Sequence, residues 1–335
     1  MFTQKSLVLG RPASAPGDRR FIAKGVEQVG RPTDGQQTLA PSNDSPIAPN
    51  QFSHWIIRTA QNQFPFSAYA DAAFAWQQVL NLFPDALVAV LMPNHLHLIT
   101  HRRQVAKQLS GLMGVISRHQ KQSGLWQRIA EPQSIQDGRH LKRTLRYVYL
   151  NPCRSELCGD PLEWQWSTYR NVMRASGSST GSLRMLKLAL PEFARKPESA
   201  IIRQLHHYVS SDPSVKVTGT EAPRLREFDR GEFLTVAVVE FLAAVMAATH
   251  ADAKALLEKS ATRRAFLRLC HFHGHFDTQL LAKICGITDR SVRRVMLMPE
   301  EATLGEIKIC LAEKRFRSGL VEAEALRFIR SRVSE

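Results

Sequence analysis

The stretch from Leu91 to Ile99, LMPNHLHLI, constrains the fold of this chain more than any other feature. Apolar residues surround two histidines, His95 and His97, that are separated by one residue, as in a β-strand whose successive side chains point to opposite faces. The two imidazoles therefore share one face, and Leu96 points to the other. Two neutral imidazoles on one face can bind the same divalent metal. The alternative is a half-buried strand on which two histidines merely alternate.

The charge distribution indicates a partner that carries phosphates. The chain has 45 Lys and Arg against 30 Asp and Glu, a formal net charge of +15. Between His101 and Arg154 there are eleven basic and two acidic residues. A solvated helix face usually mixes both signs, whereas one sign dominates here, which favours nucleic acid. In this segment, the cations expected to contact DNA are Arg102, Arg103, Arg118, Lys121, Arg128, Lys142 and Arg143.

Composition and apolar runs indicate the cellular compartment. The five cysteines lack the paired spacing of a metal site, which favours reduced thiols inside the cell. The first residues lack the long apolar run of a secretory signal. The most apolar run, residues 233–249, contains Glu240 and is short for a bilayer span, so it predicts a buried core helix. We therefore expect a cytoplasmic protein with no membrane partner.

The sequence divides into four parts, and a length of 335 residues fits about two domains. Residues 1–50 are rich in Pro, Gly, Ser and Gln and predict a flexible or poorly ordered arm. Residues 51–175 mix strand and helix patterns. The run SGSSTGS at 176–182 predicts a linker. Residues 183–335 predict an almost entirely helical region.

Hydrophobic periodicity places the elements of the second part. Pro93 cannot donate to a β-ladder, so Pro93 and Asn94 predict a bulge or turn between two strands. Trp164 and Trp166 suit stacking on unpaired bases, but alternating tryptophans are more often core anchors, and we expect a core role. The predicted strands are 54–59, 87–92 and 95–100, and the predicted helices are 68–83, 104–121 and 139–150.

Three separated motifs carry a resemblance to a known family. They are LVAVLMPNHLHLIT at 87–100, GLWQR at 124–128 and RYVYLNPCRSELCGDPLEWQWSTYR at 146–170. In this order they resemble the REP-associated tyrosine transposases, single-tyrosine members of the HUH endonuclease superfamily, over about residues 53–175. The resemblance implies an α+β, ferredoxin-like domain with a central antiparallel sheet. It also implies action on single-stranded or hairpin DNA near palindromic repeats, with a homodimer as the working form.

The same resemblance implies a catalytic centre. His95 and His97 would bind Mg²⁺ or Mn²⁺ together with a third polar side chain, and a tyrosine would form a phosphotyrosine intermediate. In relatives this tyrosine lies about three helical turns before the glycine that corresponds to Gly124. The sequence has no tyrosine in that neighbourhood, and none at all between Tyr69 and Tyr147. The usual nucleophile is therefore missing from its expected position.

Candidates for the missing roles come from the flanking motifs. Tyr149 is the candidate catalytic tyrosine, whereas Tyr147 is expected to be structural because relatives carry a tyrosine there as well as their nucleophile. His119 is the candidate third metal ligand. Gln120 and Ser117, on the same predicted helix, are alternatives to it. A serine nucleophile is chemically possible, but an unactivated hydroxyl is weak.

A second motif points to DNA independently. Residues 278–296 have the helix-turn-helix pattern: a small Ala282, a glycine at the turn and apolar residues that lock the second helix. That helix would present Arg290, Arg293 and Arg294 to a groove. The alternative is an ordinary helical hairpin with a basic outer face.

Two functions of different classes follow from these observations. The first is a metal-dependent DNA strand transferase with an unconventional or relocated nucleophile, which the intact histidine pair favours. The second is a catalytically inactive descendant that binds hairpin or repeat DNA as a regulator, which the absent tyrosine favours. A nuclease that forms no covalent intermediate lies between them.

Overall fold

The structure is a computed structural model. It describes residues 45–101, 105–174, 180–223, 236–275, 277–298, 303–317 and 319–334. Most of the predicted N-terminal arm, and both Arg102 and Arg103, lie outside the described residues.

A four-stranded antiparallel sheet forms the centre of the first half of the chain. Its strands are β1 (Ser53–Arg58), β2 (Val88–Met92), β3 (His95–Thr100) and β4 (Gln133–Ser134), in the spatial order β2-β3-β1-β4. Met92 pairs with His95, so Pro93 and Asn94 form the two-residue turn of a hairpin. The prediction of an α+β chain with an antiparallel sheet is confirmed, and so is the turn at Pro93.

Five helices accompany the sheet. They are α1 (Tyr69–Leu82), α2 (Val105–Gln120), α3 (Gly138–Tyr149), α4 (Asn151–Arg154) and α5 (Thr168–Val172). Helix α1 buries Ala72, Ala73, Trp76 and Val79, the spacing of one helical face. Helix α3 begins where the Asp137 carboxylate accepts a hydrogen bond from the His140 backbone N–H at 2.7 Å. Trp164 and Trp166 are buried, as the core interpretation predicted.

The second half is helical wherever the structure describes it. Its helices are α6 (Thr180–Ala189), α7 (Glu198–Ser210), α8 (Val238–Thr249), α9 (Ala261–Phe272), α10 (Thr278–Cys285), α11 (Asp289–Met296), α12 (Leu304–Ala312) and α13 (Leu320–Val333). Helix α8 buries every residue from Phe241 to Ala248, as expected for a core helix. No described helix is long and apolar enough to cross a membrane.

The predicted linker overlaps a helix. Helix α6 begins at Thr180, so residues 180–182 are helical, and residues 176–179 lie outside the described part of the chain. Leu183, Met185 and Leu186 are buried and anchor this helix against the rest of the protein. Burial of these side chains outweighs the low helix propensity of the preceding Thr-Gly-Ser sequence.

Polar contacts join the helical half to the sheet half. The Gln165 side-chain amide donates to the Ala247 carbonyl at 3.0 Å, and Gln77 donates to the Thr249 carbonyl at 3.0 Å. The Arg315 guanidinium pairs with the buried Asp160 carboxylate at 2.9 Å. The described residues from 45 onward therefore form one unit.

Candidate functional site

Three histidines meet on one face of the sheet. His95 and His97 share a face of β3, as predicted, and the β1–β3 register brings His54 of β1 diagonally across from His97. The Nε2 atoms of His95 and His97 are 3.1 Å apart. The Nε2 atom of His54 lies 3.0 Å from Nδ1 of His97, on the opposite edge of that ring.

Asn151 closes the cluster from the helical side. Its side-chain amide nitrogen lies 2.5 Å from Nε2 of His97 and 3.3 Å from Nε2 of His95. Asn151 is the first residue of α4, where Pro152 follows at the start of that short helix, and only 8% of it is exposed. The Asn151 side chain thus contacts both Nε2 atoms, that of His95 and that of His97, which also face each other.

Hydrogen bonds to neighbouring groups assign the protons of the three rings. Nδ1–H of His54 donates to Oε1 of Gln133 at 3.1 Å, and Nδ1–H of His97 donates to Nε2 of His54. Nδ1–H of His95 donates to Oδ1 of Asn94 at 2.6 Å. With Nδ1 protonated in His95 and His97, both Nε2 atoms carry lone pairs that point to the same small space.

Burial keeps these rings neutral. It lowers the pKa of His95 to about 4, with the Arg58 charge adding to the effect. Burial also holds the pKa of His97 well below its usual value, helped by the neighbouring His95 and His54. The pKa of His54 is likewise lowered by burial. Neutral imidazoles are the form that binds metal ions, so at neutral pH the lone pairs are available.

An exposed tyrosine and two arginines border the cluster. The Tyr147 ring lies edge-on to His97, with 6.1 Å between ring centroids, and 45% of the residue is exposed. The Arg154 guanidinium is 5.5 Å from the centre of the Tyr147 ring. Arg58, the last residue of β1, lies directly opposite His95 in the β1–β3 strand register. The site thus combines neutral imidazole nitrogens, a phenol and two guanidinium groups, and guanidinium groups are suited to binding a phosphate.

Tyr149, the predicted catalytic tyrosine, lies elsewhere. It is 1% exposed, its hydroxyl donates to the Leu87 carbonyl at 3.4 Å, and burial raises its pKa. Residues two apart on a helix do not face the same way, so Tyr147 and Tyr149 point to different surroundings. The structure does not bring Tyr149 to the histidines, and a buried hydroxyl in the core has no access to a phosphate.

The predicted third ligand and its alternatives are also held elsewhere. Nε2 of His119 lies 3.1 Å from a carboxylate oxygen of Asp71, and the His119 ring stacks on Phe74 at 3.8 Å, both on helix α1. Gln120 donates to the Pro65 carbonyl, and the Ser117 hydroxyl accepts from the Trp126 indole. The structure does not join His119 to His95 and His97, because the end of α2 packs on α1.

The predicted DNA-binding cations fall into three groups. Arg118, Lys121, Arg128 and Arg143 are exposed. Lys142 is half-buried and pairs with Glu192 at 2.8 Å. On α11, Arg290, Arg293 and Arg294 are exposed, and Arg293 pairs with Asp289 one helical turn earlier.

Helices α10 and α11 form a tight pair. Helix α10 ends at Gly286, whose φ of 62° is the left-handed conformation that glycine adopts without strain. The Thr288 hydroxyl caps α11 by accepting from the Ser291 N–H. Helix α11 buries Val292 and Met296, and the Arg268 guanidinium of α9 donates to the Met296 carbonyl. The arginines of α11 therefore project from a helix held by packing on its opposite side.

Sequence reasoning missed several members of the cluster. His54 was assigned only to a strand, and its relation to His97 depends on the β1–β3 register. Asn151 was part of a family motif but was assigned no role in the site. A signal for it exists: Tyr147, Asn151 and Arg154 follow the i, i+4, i+7 spacing of one helical face. Among the residues described, no three His, Cys, Asp or Glu side chains form a group that could hold a metal ion.

Comparisons with known proteins give one structural match. No protein family model matches the sequence, and no curated protein matches it. Among solved structures, that of a REP-associated tyrosine transposase bound to a REP hairpin is similar, with 17% sequence identity and a TM-score of 0.32. The match covers 38% of this chain and 82% of the other chain.

Proposed function

We propose that this protein is a DNA-binding, transposase-like enzyme that cleaves and rejoins single-stranded or hairpin DNA at the histidine cluster. The observation that carries this proposal is the convergence of the His95 and His97 lone pairs with Asn151, beside an exposed phenol and two arginines. The order of elements, β1-α1-β2-β3-α2-β4, supports a ferredoxin-like HUH domain, as does the strand order β2-β3-β1-β4. By the resemblance of its motifs, we further propose that the protein works as a homodimer.

The residues of the cluster fit Mg²⁺ or Mn²⁺. His95 and His97 each offer a neutral Nε2 atom, and Asn151 offers its side-chain carbonyl oxygen once the amide is turned over, since amide nitrogen and oxygen exchange places in that motion. Imidazole and amide oxygen are both suitable ligands, with Mn²⁺ accepting nitrogen more readily than Mg²⁺. When bound, the ion supplies Lewis-acid polarisation of a phosphate oxygen.

The surrounding side chains orient the ligands and attract the substrate. His54 accepts the Nδ1 proton of His97 and so keeps the His97 Nε2 lone pair directed into the site. Asn94 has the same effect on His95. Arg58 and Arg154 place positive charge at the mouth of the site, which favours a phosphodiester there.

We further propose that α10 and α11 contact duplex DNA as a helix-turn-helix unit, with α11 as the recognition helix. The buried Val292 and Met296, the left-handed Gly286 and the Thr288 cap support this arrangement. Arg290, Arg293 and Arg294 would then reach phosphates or base edges.

A non-catalytic descendant that binds repeat DNA as a regulator is the second candidate. The observation that favours it is the absence of tyrosine from α2, where the related enzymes carry their nucleophile. In that case the basic surfaces alone would supply the affinity for DNA.

One experiment separates the two functions. End-labelled hairpin DNA is incubated with the full-length protein and Mn²⁺, and cleavage is read on a denaturing gel while binding is read by fluorescence anisotropy. We expect nicks that disappear with a chelator and with the variant His95→Ala. The variant His119→Ala is the matched control, because this histidine, at the end of α2, contacts Asp71 and Phe74 of α1 and should leave cleavage unchanged. Tight binding without any nick would overturn the enzymatic function and favour the regulator.

A further inference from the structure

We infer that Tyr147 is the nucleophile of the strand-transfer reaction, an assignment that rests on the proposed function. Accessibility eliminates most of the alternatives. The chain has five tyrosines, all within the described residues. Tyr69, Tyr149 and Tyr169 are buried, with exposures of 5%, 1% and 0%. Burial also raises the pKa of each of these three hydroxyls, so none of them is a candidate for attack on DNA.

The two accessible tyrosines differ in their surroundings. Tyr208, on α7, is half-buried, and the Arg146 guanidinium lies 4.7 Å from the centre of its ring. It borders a shallow pocket of about 320 Å³ with Leu145 and Phe193, and the lining of this pocket does not include His54, His95 or His97. Tyr147 is the tyrosine that is both exposed and in ring contact with His97.

Helix geometry aims Tyr147 at the metal-ligand cluster. The backbone stays helical from α3 into α4, because the Leu150 N–H donates to the Arg146 carbonyl and the Arg154 N–H donates to the Leu150 carbonyl. Tyr147 and Asn151 are therefore one turn apart on the same face. Asn151 contacts Nε2 of both His95 and His97, so the phenol and these ligands border one space.

The neighbouring charge suits a phosphoryl transfer. Arg154 lies over the Tyr147 ring and is held there by an ion pair with Asp212 at 3.1 Å. Asp212 also forms an ion pair with Arg146, so one carboxylate holds the two arginines that lie on either side of Tyr147 in the sequence. A guanidinium at this point offers parallel N–H donors to a phosphate that approaches the hydroxyl.

The chemical step balances without any added oxidant or reductant. Oη of Tyr147 attacks the scissile phosphorus, an O–P bond forms, and the bond from phosphorus to one sugar oxygen breaks. The phenol proton passes to solvent water, and the departing sugar oxygen takes up a proton as a free hydroxyl. Attack by a second sugar hydroxyl on the phosphotyrosine reverses these changes and joins the strands, with Tyr147 released.

The test uses hairpin DNA labelled at both ends, the full-length protein and Mn²⁺. We expect a protein–DNA adduct that survives denaturation and that carries one of the two labels. Trypsin cuts after Arg146 and Arg154, so the adduct falls on the peptide 147–154, which holds both Tyr147 and Tyr149. Fragment-ion mass spectrometry is therefore needed, and it should place the nucleotide on the first residue of this peptide.

Three conservative variants make the assignment specific. Tyr147→Phe should lower adduct formation and nicking at least about 100-fold. Its Mn²⁺ affinity, measured by calorimetry, should stay within about twofold, because Tyr147 is not among the ligands. Tyr149→Phe and Tyr208→Phe are matched controls that should retain the adduct.

Each outcome is decisive. If the wild-type protein nicks DNA but forms no adduct, or if Tyr147→Phe still forms one, the assignment of Tyr147 is overturned and the proposed function stands. If the wild-type protein does not nick DNA at all, both the proposed function and this inference fail. An adduct located on Tyr147 and absent from Tyr147→Phe supports both.

Discussion

The histidine cluster and the α10–α11 pair, two regions that we propose contact DNA, are built in opposite ways. In the cluster the polar groups are withdrawn from water: His97 is 1% exposed and Asn151 is 8% exposed. In the helix pair the apolar side of α11 is buried through Val292 and Met296, and its arginines face solvent. One region is preorganised by hydrogen bonds, and the other displays charge.

This difference predicts how each region responds to change. The geometry of a buried cluster depends on each of its hydrogen bonds, because water does not replace a hydrogen-bond partner that a substitution removes. A charged surface acts through the sum of its cations and is screened by salt. Substitutions in the cluster should therefore abolish chemistry, whereas substitutions on α11 should weaken binding gradually.

The largest effect is expected from His97→Ala. This variant removes a ligand nitrogen and opens a gap between His54 and Asn151, so Mn²⁺-dependent nicking should fall by more than about 100-fold, beyond the loss expected for an outer partner. Initial rates on hairpin DNA measure the effect. Nicking within tenfold of the wild-type rate would show that the cluster is not the catalytic centre.

The next effect concerns the orientation of His97. His54→Phe keeps a ring that can stack on His97. It removes the His54 Nε2 atom, which accepts the hydrogen bond from Nδ1–H of His97. Mn²⁺ affinity should fall by about 10- to 100-fold, the usual cost of losing an outer partner of a ligating histidine. Calorimetric titration gives the value. Unchanged affinity would mean that stacking, and not the hydrogen bond, holds the His97 ring.

The third prediction tests α11. Replacing Arg290, Arg293 and Arg294 with alanine should weaken duplex binding by about tenfold or more and reduce the salt slope of binding by up to about 3. Anisotropy titrations at several salt concentrations measure both. The matched control replaces three exposed arginines elsewhere, Arg184, Arg195 and Arg203. Equal losses in the two triple variants would contradict a specific role for α11.

The smallest expected effect is on the pH dependence of stability, and it arises from histidines that are buried in the core. Burial lowers the pKa of His250 to about 3 and that of His206 to about 4, with nearby arginines adding to the effect. The unfolded chain binds protons on these rings below about pH 6.5, while the folded chain does not. The free energy of unfolding is thus greatest above that pH and falls as the pH drops toward 4.

Thermal unfolding between pH 7.5 and pH 5 tests this expectation. Each histidine should contribute on the order of 1 kcal/mol to the loss. The variant His250→Gln, which lacks the titrating ring, should show a smaller decrease in Tm than the wild-type protein. An identical pH dependence in both proteins would contradict the assignment of His250 as a neutral buried group.

Local patterns predicted much of the fold. The strand at His95, its two faces and the turn at Pro93 follow from period-two alternation and from the backbone chemistry of proline. Helix α8 was predicted to be buried because its sequence is apolar on every side. The placement of His119 shows the limit of such reasoning. Its helix was located correctly, but contact with Asp71 and Phe74 depends on how α2 packs on α1.

What the sequence by itself determined is local: the pair of histidines on one face of a strand, the hairpin that carries it, the basic segment that follows and the succession of C-terminal helices. The tertiary structure alone decided which distant side chains complete the site. His54 lies 43 positions from His97, and Asn151 lies 54 positions from it. Strand register and helix packing bring these residues together. The helical spacing of Tyr147, Asn151 and Arg154 shows that these three share a face, but it does not show what that face contacts. For the same reason, only the folded structure distinguishes the exposed Tyr147 from the buried Tyr149.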